Sequence, residues 1–118
     1  MEAKKGFTAF ARGLPMSAKK VRPIADHLRR KKVSDVVALL EALPNKGAYF
    51  LKKVIQSAAA NAQFQNNQLD QDNLIVSKLM IDEGISRTTV WARARGRADR
   101  LKKRSCHITV ELEEKGAK

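Results

Sequence analysis

An α+β fold is predicted for this chain: three helices packed on a small antiparallel sheet, with a long basic β-hairpin extending from the body. Three observations predict it. Apolar residues recur at helical spacing through three segments before residue 66, and at strand spacing after residue 72. Turn-forming residues separate those segments. The stretch TTVWARARGRADRLKKRSCHITV, residues 88–110, holds seven Arg and Lys, and its first half contains little that could build a core. A length of 118 residues suits one domain, and no internal repeat or boundary divides it. Residues 1–118 are therefore expected to form a single domain, with residues 82–104 as an extended arm.

The elements follow in chain order. Residues 7–13, FTAFARG, read as a short edge strand ended by Gly13-Leu14-Pro15. Ser17 is a fair N-cap for a first helix over residues 18–31, with Val21, Ile24, Ala25 and Leu28 inward. Pro23 lies past its first turn and removes a backbone donor, so a kink is expected. A second helix starts near Ser34, with Val36, Val37, Leu40 and Leu43 inward, and LPNKG breaks it. The third and longest helix covers residues 46–65, with Leu51, Val54, Ile55, Ala58 and Ala62 inward. QNNQLDQDN is a polar loop and LIVSKLMI a β-rich run. In the last strand Cys106, Ile108, Val110 and Leu112 share one face, with Ser105, His107, Thr109 and Glu111 on the other. The terminal EEKGAK is expected to fray.

Charge says more by its distribution than by its total of +12. Residues 1–32 carry a net +8, residues 33–86 carry −2, residues 87–104 carry +7 and residues 105–118 carry −1. Two basic blocks separated by a near-neutral middle suggest two basic surfaces facing a polyanion. Cys106 is the only cysteine, so the chain can form no internal disulfide and no cysteine-based zinc site. No apolar run approaches the length of a membrane span. The N-terminal MEAKKGFTAFARG lacks the apolar stretch of a secretory signal. Its basic character is compatible with an organellar transit peptide, but it is short and runs almost directly into patterned structure.

In extended form the basic stretch would project Arg93, Arg95 and Arg97 to one side and Ala92, Ala94, Gly96 and Ala98 to the other. Small residues opposite guanidinium groups let the backbone approach phosphate or sugar. Arg suits the task because its planar fork binds two phosphate oxygens and stacks on bases. Val90 and Trp91 could stack on a base or seat in a crevice. A helix is the competing local form, because Arg93, Arg97, Arg100 and Arg104 also share a helical face; Gly96 argues mildly against it. Elsewhere, His27 and His107 invite an acid–base pair for RNA cleavage, but nothing in the pattern brings them together. His107 reads as a sheet-surface residue bonding to its neighbours or to phosphate, and Cys106 as a small buried hydrophobe. Asp82-Glu83 before Gly84 reads as a turn rather than a metal site. No cofactor motif is present.

The run ARARGRADRLKKRSCHITVEL closely resembles the signature of the large-subunit ribosomal protein twenty-two family in its bacterial form. Ser17-Ala18-Lys19-Lys20-Val21-Arg22, Ala25-Asp26, Gly47-Ala48-Tyr49, Ser57-Ala58-Ala59-Ala60-Asn61-Ala62 and Asp82-Glu83-Gly84 match in the same order, over nearly the whole chain. The resemblance implies a non-enzymatic, cytoplasmic structural constituent of the large ribosomal subunit. Such a protein binds large-subunit ribosomal RNA, supports early assembly and contacts neighbouring ribosomal proteins. Its hairpin lines the nascent-peptide exit tunnel and so meets the nascent polypeptide. Neither a membrane partner nor a homo-oligomer is implied. Carried over by position, Lys19, Lys20, Arg22, Arg93, Arg95, Arg97, Arg100, Lys102, Lys103, Arg104 and His107 face RNA. The tunnel-facing tip falls at Arg87, Thr88, Thr89, Val90, Trp91 and Ala92. The chain departs from the family there, with Thr88-Thr89 for a common Lys-Arg and Trp91-Ala92 for a common Met-Pro or Leu-Pro. It also has Arg30 where Gly often ends the first helix.

Three other readings compete. A free-standing architectural protein for DNA or RNA explains the charge but not one long basic hairpin beside a patterned body. A nuclease rests on the two histidines alone. A membrane-active basic peptide is disfavoured because no segment sets a strongly apolar face against its arginines.

Overall fold

The clean alternation near the C-terminus becomes the middle strand of a three-stranded antiparallel sheet. In this computed structural model, which describes residues 7–65 and 71–114, that strand is β5 (Cys106–Glu114). It lies between β1 (Phe7–Leu14) and β2 (Leu74–Glu83), giving the order β1-β5-β2. Pairing runs from Phe7↔Leu112 to Leu14↔Cys106 on one side, and from Leu74↔Glu114 to Glu83↔Cys106 on the other. Both pairings contain one irregularity. On β1 it falls between Ala11 and Leu14, where Gly13 takes a φ of 65°. On β2 it falls between Val76 and Lys78, where the Ser77 hydroxyl donates to the Glu111 carbonyl.

Three helices cover one face of the sheet: α1 (Ala18–Asp26), α2 (Val33–Ala42) and α3 (Lys46–Gln65). All five residues expected inward on α3 are buried, as are Cys106, Ile108, Val110 and Leu112 of β5. Each large apolar side chain so enclosed contributes about 1.5–3 kcal/mol through removal from water. Burial also pushes the Cys106 thiol up, so it stays neutral and behaves as the small hydrophobe expected. Gly47, at the start of α3, lies so close to α1 that an added Cβ would sit 3.3 Å from the Ile24 Cδ1. Among the described residues no helix is long and apolar enough to cross a membrane.

The first helix is shorter than its periodicity suggests. Instead of reaching residue 31 it ends at Asp26, three residues beyond Pro23, and His27 closes it. Its cap is the expected one, with the Ser17 hydroxyl accepting from the Lys19 N–H. After His27 the chain turns so that Leu28 still enters the core, and Arg30 adopts a left-handed φ of 67°. That conformation delivers residues 30–32 to the outer edge of β2. There the Arg30 N–H donates to the Val76 carbonyl, the Val76 N–H donates to the Lys31 carbonyl, and Lys32 bridges Ile75. Tertiary pairing with a strand more than 40 residues later thus overrides helical propensity.

Part of the polar loop after α3, residues 66–70, lies outside the described residues, as do residues 1–6 of the basic N-terminal segment and residues 115–118 of the end expected to fray. A single 3-10 turn, Gln71–Asn73, leads into β2. Two further strands, β3 (Arg87–Ala92) and β4 (Ala98–Lys103), pair only with each other. The molecule is 65 Å long but 34 and 21 Å across, with a radius of gyration of 17.6 Å. A compact domain of this length would have about 13–14 Å.

Arg30 is a non-glycine residue held in left-handed geometry, at a cost of about 1 kcal/mol. Arg30→Gly should therefore raise the stability of the isolated protein by on the order of 0.5 kcal/mol, after the extra freedom glycine gives the unfolded chain. Thermal unfolding checks this; a lower Tm would mean that the Arg30 side chain stabilises the fold by more than its backbone costs.

Candidate nucleic-acid interface

The basic stretch is neither a uniform strand nor a helix. β3 and β4 pair from Arg87↔Lys103 to Ala92↔Ala98, and the chain reverses over residues 93–97. Two consecutive left-handed residues make that reversal, Arg95 at φ 62° and Gly96 at φ 72°. The Arg93 N–H donates to the Arg97 carbonyl at 2.7 Å and closes it. The expectation that Arg93, Arg95 and Arg97 alternate along an extended strand is therefore corrected: all three lie in the turn. The expected position of the tip is corrected too. Arg87, Thr88, Thr89, Val90, Trp91 and Ala92 form the outgoing strand, with Arg87 at its root. Gly96 supplies the reversal there because it takes a left-handed φ without a Cβ penalty.

Cross-strand partners share a face, which sorts the arm's side chains. One face carries Arg87, Lys103, Thr89, Leu101, Trp91 and Asp99; the other carries Thr88, Lys102, Val90, Arg100, Ala92 and Ala98. All of these are exposed except the half-buried Leu101. Cationic groups thus project from both faces and from the turn. Arg93 differs from the other arm cations. Its Nε donates to an Asp99 carboxylate oxygen at 2.6 Å, and its guanidinium lies 5.9 Å from the Trp91 ring centroid. Asp99 therefore offsets part of the charge of Arg93 and helps orient it beside Trp91.

The root of the arm is tightly built. The Gly84 N–H donates to the Ser105 carbonyl at 2.9 Å, and the Ser105 hydroxyl donates to the Ile85 carbonyl at 2.7 Å. A Cβ on Gly84 would sit 2.4 Å from the Ser105 hydroxyl oxygen and about 3.1 Å from the His107 ring. His107 accepts the Gly13 N–H through Nδ1 at 3.0 Å. In the neutral ring the proton therefore sits on Nε2, which remains a donor. His27 lines a different hollow, between α1 and α2, so the two histidines do not form a pair.

The first helix contributes unequally. Lys19 and Arg104 line one hollow beside the arm root, together with Glu83, Ser17 and Ser105. Lys20 lines another of about 500 Å³, with Ser17, Asn45 and Lys46. Lys46 was legible only as the start of a helix; its approach to Lys20 depends on how α3 crosses α1. Arg22 turns elsewhere, donating through Nε and Nη2 to the Ile81 carbonyl at 3.3 and 3.1 Å. Arg29 does the same for the Leu79 carbonyl, at 3.1 and 2.7 Å, and also pairs with Asp26. On the outer side of α3, Lys53 lies 4.8 Å from the Tyr49 ring centroid and, by hydrogen bond and charge, lowers its phenol below the usual range.

Comparison with known proteins finds similar chains. Residues 9–113 match the family described as Ribosomal protein L22p/L17e. Among curated relatives, the large ribosomal subunit protein uL22 of Borrelia hermsii is 53% identical over 109 residues, covering 92% of this chain and 91% of its own. That of Borrelia duttonii is 52% identical over 115 residues, covering 98% and 96%. The protein of the same description from Borreliella burgdorferi strain ZS7 is 50% identical, with 92% and 91% covered.

With β3 and β4 exposed and no core beneath them, the arm amides should exchange rapidly in the free protein, at rates near those of mobile loops. Amides of β5 should be protected at close to the global unfolding free energy. Hydrogen exchange resolved by residue checks this; equal protection of both regions would mean that the arm shares the stability of the body.

Proposed function

The chain belongs to the ribosomal protein L22p/L17e family, and from that premise we propose that its two basic surfaces bind large-subunit ribosomal RNA. As a member of that family it is a structural protein of the large ribosomal subunit, in the cytoplasm on the ribosome, and not an enzyme. Ribosomal RNA and neighbouring ribosomal proteins are its partners. In our reading residues 1–118 act as one domain in single copy. The arm begins beyond the Gly84–Ser105 junction rather than at residue 82, because Asp82 and Glu83 pair within the body sheet, and RNA supplies the packing that the arm lacks. The observation that carries this is an arm with eight Arg and Lys against one acid over residues 87–104, and no core of its own.

Lys19, Lys20, Arg95, Arg97, Arg100, Lys102, Lys103 and Arg104 meet phosphates with their full charge. Arg22, Arg93 and His107 contribute through the donors that internal bonds leave over. Neutralised phosphates release counterions, which supplies affinity independent of sequence. Early binding of this kind supports subunit assembly by holding RNA segments on opposite sides of the arm. The distal turn, residues 93–97, with Trp91 and Ala92 just behind it, reaches the exit tunnel and meets the nascent polypeptide. Arg87, Thr88, Thr89 and Val90 line the approach to it.

Sedimentation of a native lysate after a high-salt wash tests the reading. The chain should remain in the large-subunit and intact-ribosome peaks; its release into the soluble fractions would contradict an integral role. The phosphate interactions are tested separately. Changing Arg95, Arg97 and Arg100 to Ala should lower the slope of log K against log salt by roughly 0.7–0.9 for each phosphate no longer neutralised. Arg93→Ala should lower it by less, because Asp99 already offsets part of that charge. An unchanged slope in the triple variant would mean these side chains do not meet phosphates.

A further inference from the structure

The face of the sheet away from the helices is not the uniformly polar surface expected of an antiparallel sheet open to solvent. Thr8, Phe10 and Arg12 of β1, His107, Thr109 and Glu111 of β5, and Lys78, Met80 and Asp82 of β2 lie on it. Phe10 and Met80 both oppose Thr109 in register, so they form one strip across the three strands. They are 62% and 47% exposed. Beside Phe10 is a hollow of about 290 Å³, lined by Phe10, Arg12, Asp82, His107, Ile108 and Thr109. That is the volume of roughly ten waters, room for one heterocyclic base.

The chemistry of this hollow is mixed. Phe10 offers a ring face, and the Arg12 guanidinium lies 5.7 Å from its centroid. With Nδ1 accepting from Gly13, His107 has Nε2–H left to donate. Thr109 can donate or accept, and Asp82 can only accept. A phosphate would be repelled by Asp82, and an apolar side chain would leave Asp82, Arg12 and His107 without partners on desolvation. A planar base suits all of them, with its face on Phe10 and its edge presenting donors and acceptors together.

We propose that this open face is a second RNA site, on which Phe10 stacks an unpaired base and Asp82, His107 and Arg12 read its edge. It rests on the reading that the chain binds ribosomal RNA, but it adds a base-directed contact to phosphate-directed ones.

The test uses the full chain and RNA oligomers of about eight nucleotides, each of a single base type, with a matched oligomer lacking its central bases. Wild-type protein should prefer the best base-bearing oligomer over the abasic one by about tenfold, the loss expected for one stacked base. Phe10→Ala should abolish that preference and leave the salt slope unchanged, while Phe10→Tyr keeps both. Because Phe10 is exposed, an unchanged Tm serves as the folding control. Asp82→Asn should redistribute preference among the base types, read as the affinity of each oligomer relative to the abasic one. A preference that survives Phe10→Ala overturns the proposal. If the arm variants still lower the salt slope in that case, RNA binding stands and only the sheet-face site falls. If neither the oligomers nor ribosomal RNA bind, both fall. If Phe10→Ala spares RNA binding and instead weakens retention on salt-washed subunits, the face belongs to a neighbouring protein and the RNA site is wrong.

Discussion

The pairing of β2 with β5 is the constraint on which the arm and the sheet both depend. Its last pair, Glu83↔Cys106, hands the two chains directly to the Gly84–Ser105 junction. From there the ladder resumes at Arg87↔Lys103. The arm is thus an outgrowth of the same two strands, and the body sets its starting register. A slip of one residue would turn the buried row Cys106, Ile108, Val110 and Leu112 to the solvent side. It would also change the register with which the two strands of the arm leave the body. The apolar row that stabilises the body therefore fixes how the charged surface is presented.

Arginine serves two purposes in this molecule, and position separates them. On the arm it projects outward from a backbone with small or polar neighbours. Arg22 on α1 and Arg29 in the turn after it point back and satisfy carbonyls on the outer edge of β2, while residues 30–32 bridge the next stretch of that edge. An open strand edge is a template for association with other chains. Here the same residue type that suits polyanions also closes that edge, which sequence periodicity alone cannot distinguish.

Much of the fold was legible. Period-2 alternation marked β5 and period-3.6 recurrence marked α3, because each pattern repeats often enough to exclude the other. What escaped was set by contacts distant in sequence. Arg30 stands where Gly often ends the first helix in the family, but nothing local says that residues 30–32 then bridge Ile75 and Val76. Nothing local to Arg22 says that its guanidinium reaches Ile81. The resemblance places the tip at Arg87 to Ala92, whereas the chain reverses at Arg95 and Gly96, whose left-handed φ values no periodicity announces. Asp99 holds Arg93 from six residues away, across the turn. Phe10 was visible on a strand, yet its exposure followed only once β1 took the edge position beside β5.

The guanidinium closure of β2 bears on the order of events in the cell. A backbone carbonyl is a weaker acceptor for arginine than a phosphate oxygen. A newly made chain that meets RNA before its body closes offers Arg22 and Arg29 to the stronger acceptor, and leaves the strand edge bare. Once the body has closed, both groups are held in chelate-like geometry by a carbonyl already in place, and exchange requires breaking two donors at once. The closed body therefore offers a polyanion only those donors of the two guanidinium groups that its own carbonyls leave over.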